Sequence, residues 1–318
     1  MSRKKLISII IRTFNEARYL GQLLVEIEKQ QISKYDIEVI LVDSGSTDET
    51  LTIAEKHNAL ITHINQSEFT FGRSLNVGCA LAQGDFLVFI SGHCIPASDS
   101  WLEKLVSPLD KQLSHYSYGR QIGKDSTKFS ESRLFEKYFP PTSSIPQAGS
   151  FCNNANAAIT HSIWKKHHFD ETLTGLEDMY LAQKICSDNG SIAYVAEASV
   201  YHIHDETWRQ VRIRYEREAI ALQKIMPELH FGAFDLMKCI FSGVIGDFRS
   251  AATKKILCQQ FSSIVLFRFM QFYGVYKGNH QHRKLSQASK MRYYYPAISN
   301  IEITHEKKNH CANAPQGK

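Results

Sequence analysis

Side chains capable of chemistry gather at a few points in this 318-residue sequence, and the first two points lie at the ends of apolar runs. Thr13-Phe14-Asn15-Glu16 follows one run, Asp43-Ser44-Gly45-Ser46-Thr47-Asp48 follows the next, and each leads into a helical pattern. A nucleotide needs such a strand end: a carboxylate to pair with its base or ribose, and small residues that let the backbone come close. Ordinary helix capping competes as an account of Asn15 and of Ser46, which makes a capping-box pattern with Glu49. It does not account for Asp43, placed where a buried strand emerges. Neither turn is a GxGxxG loop and the GxxxxGK[ST] motif is absent, which argues against a dehydrogenase or a P-loop enzyme.

Glu177 and Asp178 follow Gly175-Leu176 and open a helix whose inward face is Leu181, Ala182 and Ile185. The helix dipole alone favours acids in a first turn; the alternative is a general base. His202 and His204 are two apart in a strand, so their imidazoles face one way. They either converge on a metal together with His93 or stand solvated. Asn153, Asn154 and Asn156 offer amides to sugar hydroxyls, or shape a turn. Phe135, Tyr138 and Phe139 suit a sugar-stacking platform or a core. Arg209, Arg212, Arg214 and Arg217, after Trp208, suit a diphosphate or an anionic headgroup, or form a charged face balanced by Glu206, Glu216 and Glu218.

The elements that must position these groups alternate. Residues 6–12, 37–42, 59–64 and 85–90 read as strands, the second a continuous apolar run fit for burial on both faces of a parallel sheet. Helical spacing falls between them, over 17–30, with Leu20, Leu23, Leu24 and Ile27 inward, and over 73–82. Such alternation predicts a doubly wound sheet with ligands beyond the carboxyl ends of the strands. Further strands are predicted at 116–122, 155–159, 192–195 and 199–204, and a helix at 177–187 closed by Asn189-Gly190. Residues 207–280 read as basic, amphipathic helices, and 297–318 as a polar, flexible tail.

Composition is ordinary for a globular chain, at 43% hydrophobic and 22% charged, and the formal charge of +5 suits anionic small ligands or a membrane surface rather than nucleic acid. Nothing reads as a secretory signal or a membrane span; the apolar stretch near 256–270 is broken by Gln259, Gln260 and Arg268. Seven scattered cysteines without CxxC fit reduced thiols in a cytosol.

The segments ISIIIRTFNEARYLGQLLVEI and IEVILVDSGSTDET together resemble the opening of the family 2 glycosyltransferases: an apolar strand, a T-x-N-E-like turn, then V-D-x-G-S-x-D-x-T. GRSLNVGCALAQGDFLVFI extends the resemblance, which covers about residues 6–204. It implies an α/β GT-A fold, Rossmann-like with a mostly parallel sheet flanked by helices. The catalytic domain would span 1–206, with a donor half to about 110 and an acceptor half from 111, and a helical extension over 207–296. Thr13, Asn15, Glu16, Asp43, Ser44, Arg73 and Asn76 would surround a nucleotide-sugar donor, with Ser91, Gly92 and His93 facing its diphosphate. EDMYL matches an E-D-x-x-L motif, which implies that Asp178 deprotonates the acceptor hydroxyl while Glu177 binds the acceptor or holds the loop. Asn153, Asn154 and Asn156 would face the acceptor.

One departure stands out. Ser91-Gly92-His93 occupies the strand end where the family carries a D-x-D-type acidic motif for a divalent metal. Oxygen ligands suit Mg²⁺ and Mn²⁺, whereas imidazole favours softer ions. Either His93 joins His202 and His204 in holding a divalent cation (Mn²⁺ or Mg²⁺), or no metal binds and cations such as Arg73 stabilise the leaving diphosphate.

The implied reaction is inverting sugar transfer to a hydroxyl of a glycan or lipid-linked glycan, in surface polysaccharide or glycoconjugate assembly. Its implied place is the cytosol, at or near the inner face of the membrane, with the C-terminal helices touching the membrane or a second copy. The rival from another class is a non-catalytic nucleotide-sugar-binding scaffold that lost its metal motif; retention of Glu177-Asp178 speaks against it. A nucleotide-sugar hydrolase and a nucleotidyltransferase are further rivals.

Overall fold

A computed structural model describes residues 4–281 and 285–296. In chain order the elements are β1 (Lys5–Thr13), α1 (Ala17–Glu28), β2 (Tyr35–Asp43), α2 (Thr50–Lys56), β3 (Leu60–His63), α3 (Phe71–Leu81), β4 (Phe86–Ser91), β5 (Cys94–Pro96), α4 (Trp101–Asp110), β6 (Tyr116–Ile122), α5 (Phe129–Tyr138), β7 (Asn156–Thr160), α6 (His161–Lys166), α7 (Glu177–Ser187), β8 (Ile192–His202), α8 (Trp208–Ile225), α9 (Ala233–Thr253), α10 (Leu257–Asn279) and α11 (Gln287–Tyr294). They divide into two compact units. One holds the chain through Asp205 together with Asp247–Ile264; the other holds Glu206–Gly246 and the chain from Val265. The predicted tail over 297–318 lies outside the described residues.

The first unit is built on one eight-stranded sheet in the order β3-β2-β1-β4-β7-β6-β8-β5. β1 lies between β2 and β4, parallel to both, and β2 is parallel to β3. Ile7, Ile9, Ile10 and Ile11 of β1 are buried on both faces, and Ser8, also buried, is the one polar residue among them. Leu20, Leu23, Leu24 and Ile27 of α1 join Ile7, Ile9 and Ile11 in one core with Trp101, Leu102, Leu105 and Val106 of α4. Each such side chain withdrawn from water contributes about 2 kcal/mol.

The sheet is less parallel than the alternation predicts. β7 is antiparallel to β4 and to β6, and β5 is antiparallel to β8, while β6 and β8 are parallel. The two strands predicted over 192–204 are one, β8, whose partner β6 absorbs an irregularity between Gly119 and Gln121. The predicted capping box is also replaced. α2 starts only at Thr50, and Ser46 gives its hydroxyl to Asp43 rather than to a helix end. α3 begins at Phe71, two residues before its predicted start, because Thr70 caps it by accepting from the Arg73 N–H. Between β4 and β5 the chain reverses through Gly92-His93, and β5 pairs Cys94 opposite His202.

In the second unit, α8 opens on a full capping box between Thr207 and Gln210. Gly274 and Gly278 of α10 admit α8 so closely that an added Cβ would lie 2.4 Å from the Arg212 carbonyl oxygen and 2.2 Å from that of Glu216. Among the described residues no helix is long and apolar enough to cross a membrane.

Candidate active site

The first two strand ends, thirty residues apart in sequence, are laced into one surface. Ser44 N–H donates to the Thr13 carbonyl at 3.1 Å. Asn15 stands in the left-handed region at φ 55°, accepts the Thr47 N–H at 2.8 Å and gives its own N–H to the Ser46 hydroxyl at 2.9 Å. Glu16 N–H donates to the Thr50 hydroxyl and Ala17 N–H to the Asp48 carboxylate. Asp43 is buried and central. Its carboxylate accepts from the Gly45 and Ser46 backbone, from the Ser46 hydroxyl and from Thr13 Oγ1, at 2.5–3.2 Å. It therefore fixes the shape of the turn, a role the strand-end position alone does not reveal.

Arg73 and Asn76 fare differently from the donor-site expectation. Arg73 is partly exposed and pairs with Glu68 at 3.5 Å. Asn76 is spent on structure: its amide donates to the Phe169 carbonyl and to Glu171, and its oxygen accepts from Trp164 Nε1 and Phe169 N–H. Three of its four hydrogen bonds brace the 169–171 loop and the fourth holds Trp164 of α6, which leaves none for a donor.

The start of α7 is a buried acidic pair. Leu176 caps it in the left-handed region at φ 58°, a strained conformation for a leucine. Glu177 is 5% exposed and meets the Arg12 guanidinium at 3.3 Å. Arg12 also lies over the Phe71 ring at 4.9 Å. Asp178, 7% exposed, accepts from the Asn154 N–H at 2.9 Å and from the Met179 N–H at 2.8 Å. Burial and the neighbouring Glu177 charge push its carboxyl up to about 7, against the pull of those two N–H groups and of Arg12. An acid held near neutrality is the tuning a general base requires. Through that ion pair Glu177 is tied to the end of β1.

The three asparagines separate. Asn156 is fully buried; its oxygen accepts from Trp101 Nε1 and its amide donates to the Arg120 and Ala198 carbonyls, so it stitches β7 to β6 and β8. That corrects its expected place at the acceptor. Asn153 accepts from Gln121 and from the Ala155 N–H. Asn154 takes the Tyr116 hydroxyl on its oxygen while its buried Nδ2 has no hydrogen-bond partner among the described residues. Of the aromatic trio, Phe135 and Phe139 are core, and Tyr138, 46% exposed, stacks on Phe151 at 5.7 Å. The arginines after Trp208 are largely engaged inside their own unit: Arg212 pairs with Glu216 at 2.6 Å and Arg214 with Glu206 at 2.7 Å.

At the β4–β5 turn the three histidines come together. His93 and His202 stack at 5.2 Å between ring centres, and His202 and His204 meet at 4.0 Å. One ring nitrogen from each lies within 4.8 Å of the others. His204 follows the end of β8 rather than sitting within it. Three imidazoles with no carboxylate among them are a donor set for a divalent transition metal; Mg²⁺, which demands oxygen, does not fit it.

Sequence reasoning missed Arg12, Tyr116, Gln121 and Glu131. Arg12 alone had a local signal, a lone charge closing a run of isoleucines.

Laced turns at the ends of β1 and β2, with a buried acidic pair at the start of α7 tied back to β1 through Arg12, fit a transferase of the GT-A type. The family model described as glycosyl transferase family 2 matches residues 8–167. The chain belongs to that family and is a glycosyltransferase. It is 30% identical over 221 residues to the O-antigen chain rhamnosyltransferase RfbN of Salmonella typhimurium, covering 66% of this chain and 70% of that one. It is 25% identical over 206 residues to the poly(ribitol-phosphate) beta-N-acetylglucosaminyltransferase TarS of Staphylococcus aureus, 61% of this chain and 35% of that relative. The mannosyltransferase PcManGT from Pyrobaculum calidifontis, solved with GDP-Man and Mn²⁺, superposes with a TM-score of 0.59 over 93% of this chain and 89% of its own at 16% identity. That likeness establishes the GT-A fold.

Proposed function

We propose that the protein transfers a sugar from a nucleotide-sugar donor to a hydroxyl of a growing surface polysaccharide or lipid-linked glycan, with inversion at the anomeric carbon. The observation that carries this is Asp178, a buried carboxyl raised to about 7 at a helix start. Asp178 takes the proton of the acceptor hydroxyl as its oxygen attacks the anomeric carbon, and the nucleoside diphosphate leaves from the opposite side. The laced turns at Thr13–Asn15 and Asp43–Thr47 seat the nucleotide, with Asp43 acting by holding Ser44 and Gly45 in place. Asn153 and the unpartnered Nδ2 of Asn154 point to an acceptor site beside the base. Similarity to an O-antigen chain rhamnosyltransferase and to a poly(ribitol-phosphate) beta-N-acetylglucosaminyltransferase supports a polymer acceptor.

A divalent cation would sit at His93, His202 and His204, where it would supply positive charge for the leaving diphosphate. A lipid-linked acceptor places the enzyme at the inner face of a membrane. The exposed Phe234, Met237, Phe241 and Ile245, one stripe along α9, support surface contact there.

The test is a thermal-shift titration with UDP, GDP, dTDP and CMP, followed by product analysis with the sugar form of whichever nucleotide binds. Release of nucleoside diphosphate with transfer to a saccharide acceptor is the expected result. Release of pyrophosphate, transfer to water alone, or no shift with any nucleotide would overturn the reading.

A further inference from the structure

Each of the three clustered imidazoles is anchored through its Nδ1 by an acceptor from a different element. His93 meets Glu16, at the entry to α1, at 2.9 Å. His202 meets Gln121 of β6 at 2.6 Å. His204 meets Glu131 of α5 at 2.7 Å. A carboxylate is an acceptor only, so Nδ1 of His93 and of His204 must carry the proton, and in the neutral ring the lone pair then falls on Nε2. Metal-binding histidines are held this way: an outer carboxylate or carbonyl fixes tautomer and orientation and raises the basicity of the ligating nitrogen. Mere aromatic packing, such as the Phe135–His202–His93 stack with interplanar angles of 22° and 23°, has no need of three separate acceptors.

The backbone is shaped for the same end. An added Cβ on Gly92 would lie 2.9 Å from Glu16 Cγ, so the glycine is what lets Glu16 come in under His93. Glu131, 2% exposed, is an expensive residue to bury for packing alone, and it forms an ion pair with His204 at 2.7 Å.

We infer that His93, His202 and His204 form a nitrogen-only centre for a borderline transition-metal ion of the Zn²⁺ or Co²⁺ kind, with Glu16, Gln121 and Glu131 as its outer partners, and that the centre rejects Mg²⁺. This deepens the cation reading above and rests on it. Selectivity follows from the donors: imidazole binds Co²⁺ and Zn²⁺ more tightly than Mn²⁺, and a hydrated Mg²⁺ gains nothing by exchanging water for nitrogen. The charge balance is distinctive as well. Three neutral ligands leave the ion its full +2, and the carboxylates of Glu16 and Glu131 stand one hydrogen bond behind His93 and His204. A diphosphate approaching this centre meets more positive charge than it would beside a pair of metal-bound aspartates.

The experiment titrates the full chain, freed of metal, with Co²⁺, following the visible d–d absorption and the heat of binding, and then competes with Zn²⁺, Mn²⁺ and Mg²⁺. The expected result is one Co²⁺ per chain, displaced by Zn²⁺ and untouched by millimolar Mg²⁺. The visible band should be lost in His202→Ala, and affinity should fall about 10–100-fold in Glu131→Gln. His93→Gln and Glu16→Gln, at partly exposed positions, carry the same test if the buried substitutions fail to fold. Co²⁺ binding unchanged in these variants, or displacement by Mg²⁺ at equal concentration, overturns the inference. A nucleotide thermal shift measured in EDTA reads the donor site separately. A chain that binds UDP or GDP but no metal defeats the metal centre alone, and one that binds Co²⁺ but no nucleotide defeats the transferase reading alone.

Discussion

Asp178→Asn should abolish transfer and, at alkaline pH, make the protein more stable. A carboxyl raised from 3.8 to about 7 is one whose ionised form the fold disfavours; the gap corresponds to about 4 kcal/mol between its two protonation states. The sign follows from which state holds the proton. Between pH 4 and pH 7 the unfolded chain has released the Asp178 proton while the folded chain retains it, so stability falls as pH rises across that window and is level above it. Asparagine carries no charge and escapes the penalty. It keeps one of the two backbone hydrogen bonds, from Asn154 or from Met179, and loss of the other offsets about 2 kcal/mol. The net gain above pH 7.5 is about 2 kcal/mol, or about 4–8 °C in melting temperature for a unit of this size. At pH 4.5 the gain vanishes and the lost hydrogen bond makes the variant slightly less stable. Differential scanning calorimetry of both proteins across pH 4.5–8.5, beside a radiolabelled-sugar transfer assay, reads both arms. A variant that melts lower at pH 8 and still transfers sugar would refute the assignment of Asp178 as a strained base.

Three other substitutions separate the roles argued above. Arg12→Met removes the cation beside Glu177, so Asp178 ionises less readily and the rising limb of kcat/KM against pH should move up by about one pH unit; an unmoved limb would detach Arg12 from the base. Asn76→Ala should cost about 3 kcal/mol in urea unfolding, because Trp164 Nε1 and the Phe169 N–H lose their acceptor, while the donor KM stays within about twofold of the parent, in keeping with a free-energy change well under 1 kcal/mol. A large rise in KM would restore Asn76 to the donor site. Gly278→Ala drives a methyl into the Glu216 carbonyl oxygen and should destabilise the second unit by about 3 kcal/mol, seen as early loss of hydrogen-exchange protection in α8 and α10.

What could be read from the sequence was what a short stretch of chain determines by itself. The apolar runs, the strand-end turns and the acidic start of α7 each declare themselves within about ten residues, and the structure brings the two turns together. Asn76 and Asn156 were misplaced because their partners, Trp164 and Ala198, lie 88 and 42 residues away, and an amide looks the same whether it holds a ligand or a loop. Gln121 and Glu131 carry no motif at all; they matter only because β5 pairs with β8 and sets His93 against His202. The break predicted within β8 came from Ala196-Glu197-Ala198, a poor strand sequence that pairing with β6 overrides.

The eight strands form one hydrogen-bonded ladder from β3 to β5, and within it Asn156 and Gly119 lock β7, β6 and β8 together, Gly119 so tightly that even a methyl group would strike the Ala198 carbonyl oxygen at 2.0 Å. With the two substrates placed as proposed, both would rest on this one ladder, and rotating one half of the sheet against the other would have to break its hydrogen bonds. On the proposed reading, exchanging the loops 140–153 and 169–176 between related enzymes should alter which sugars are joined while the ladder itself stays intact.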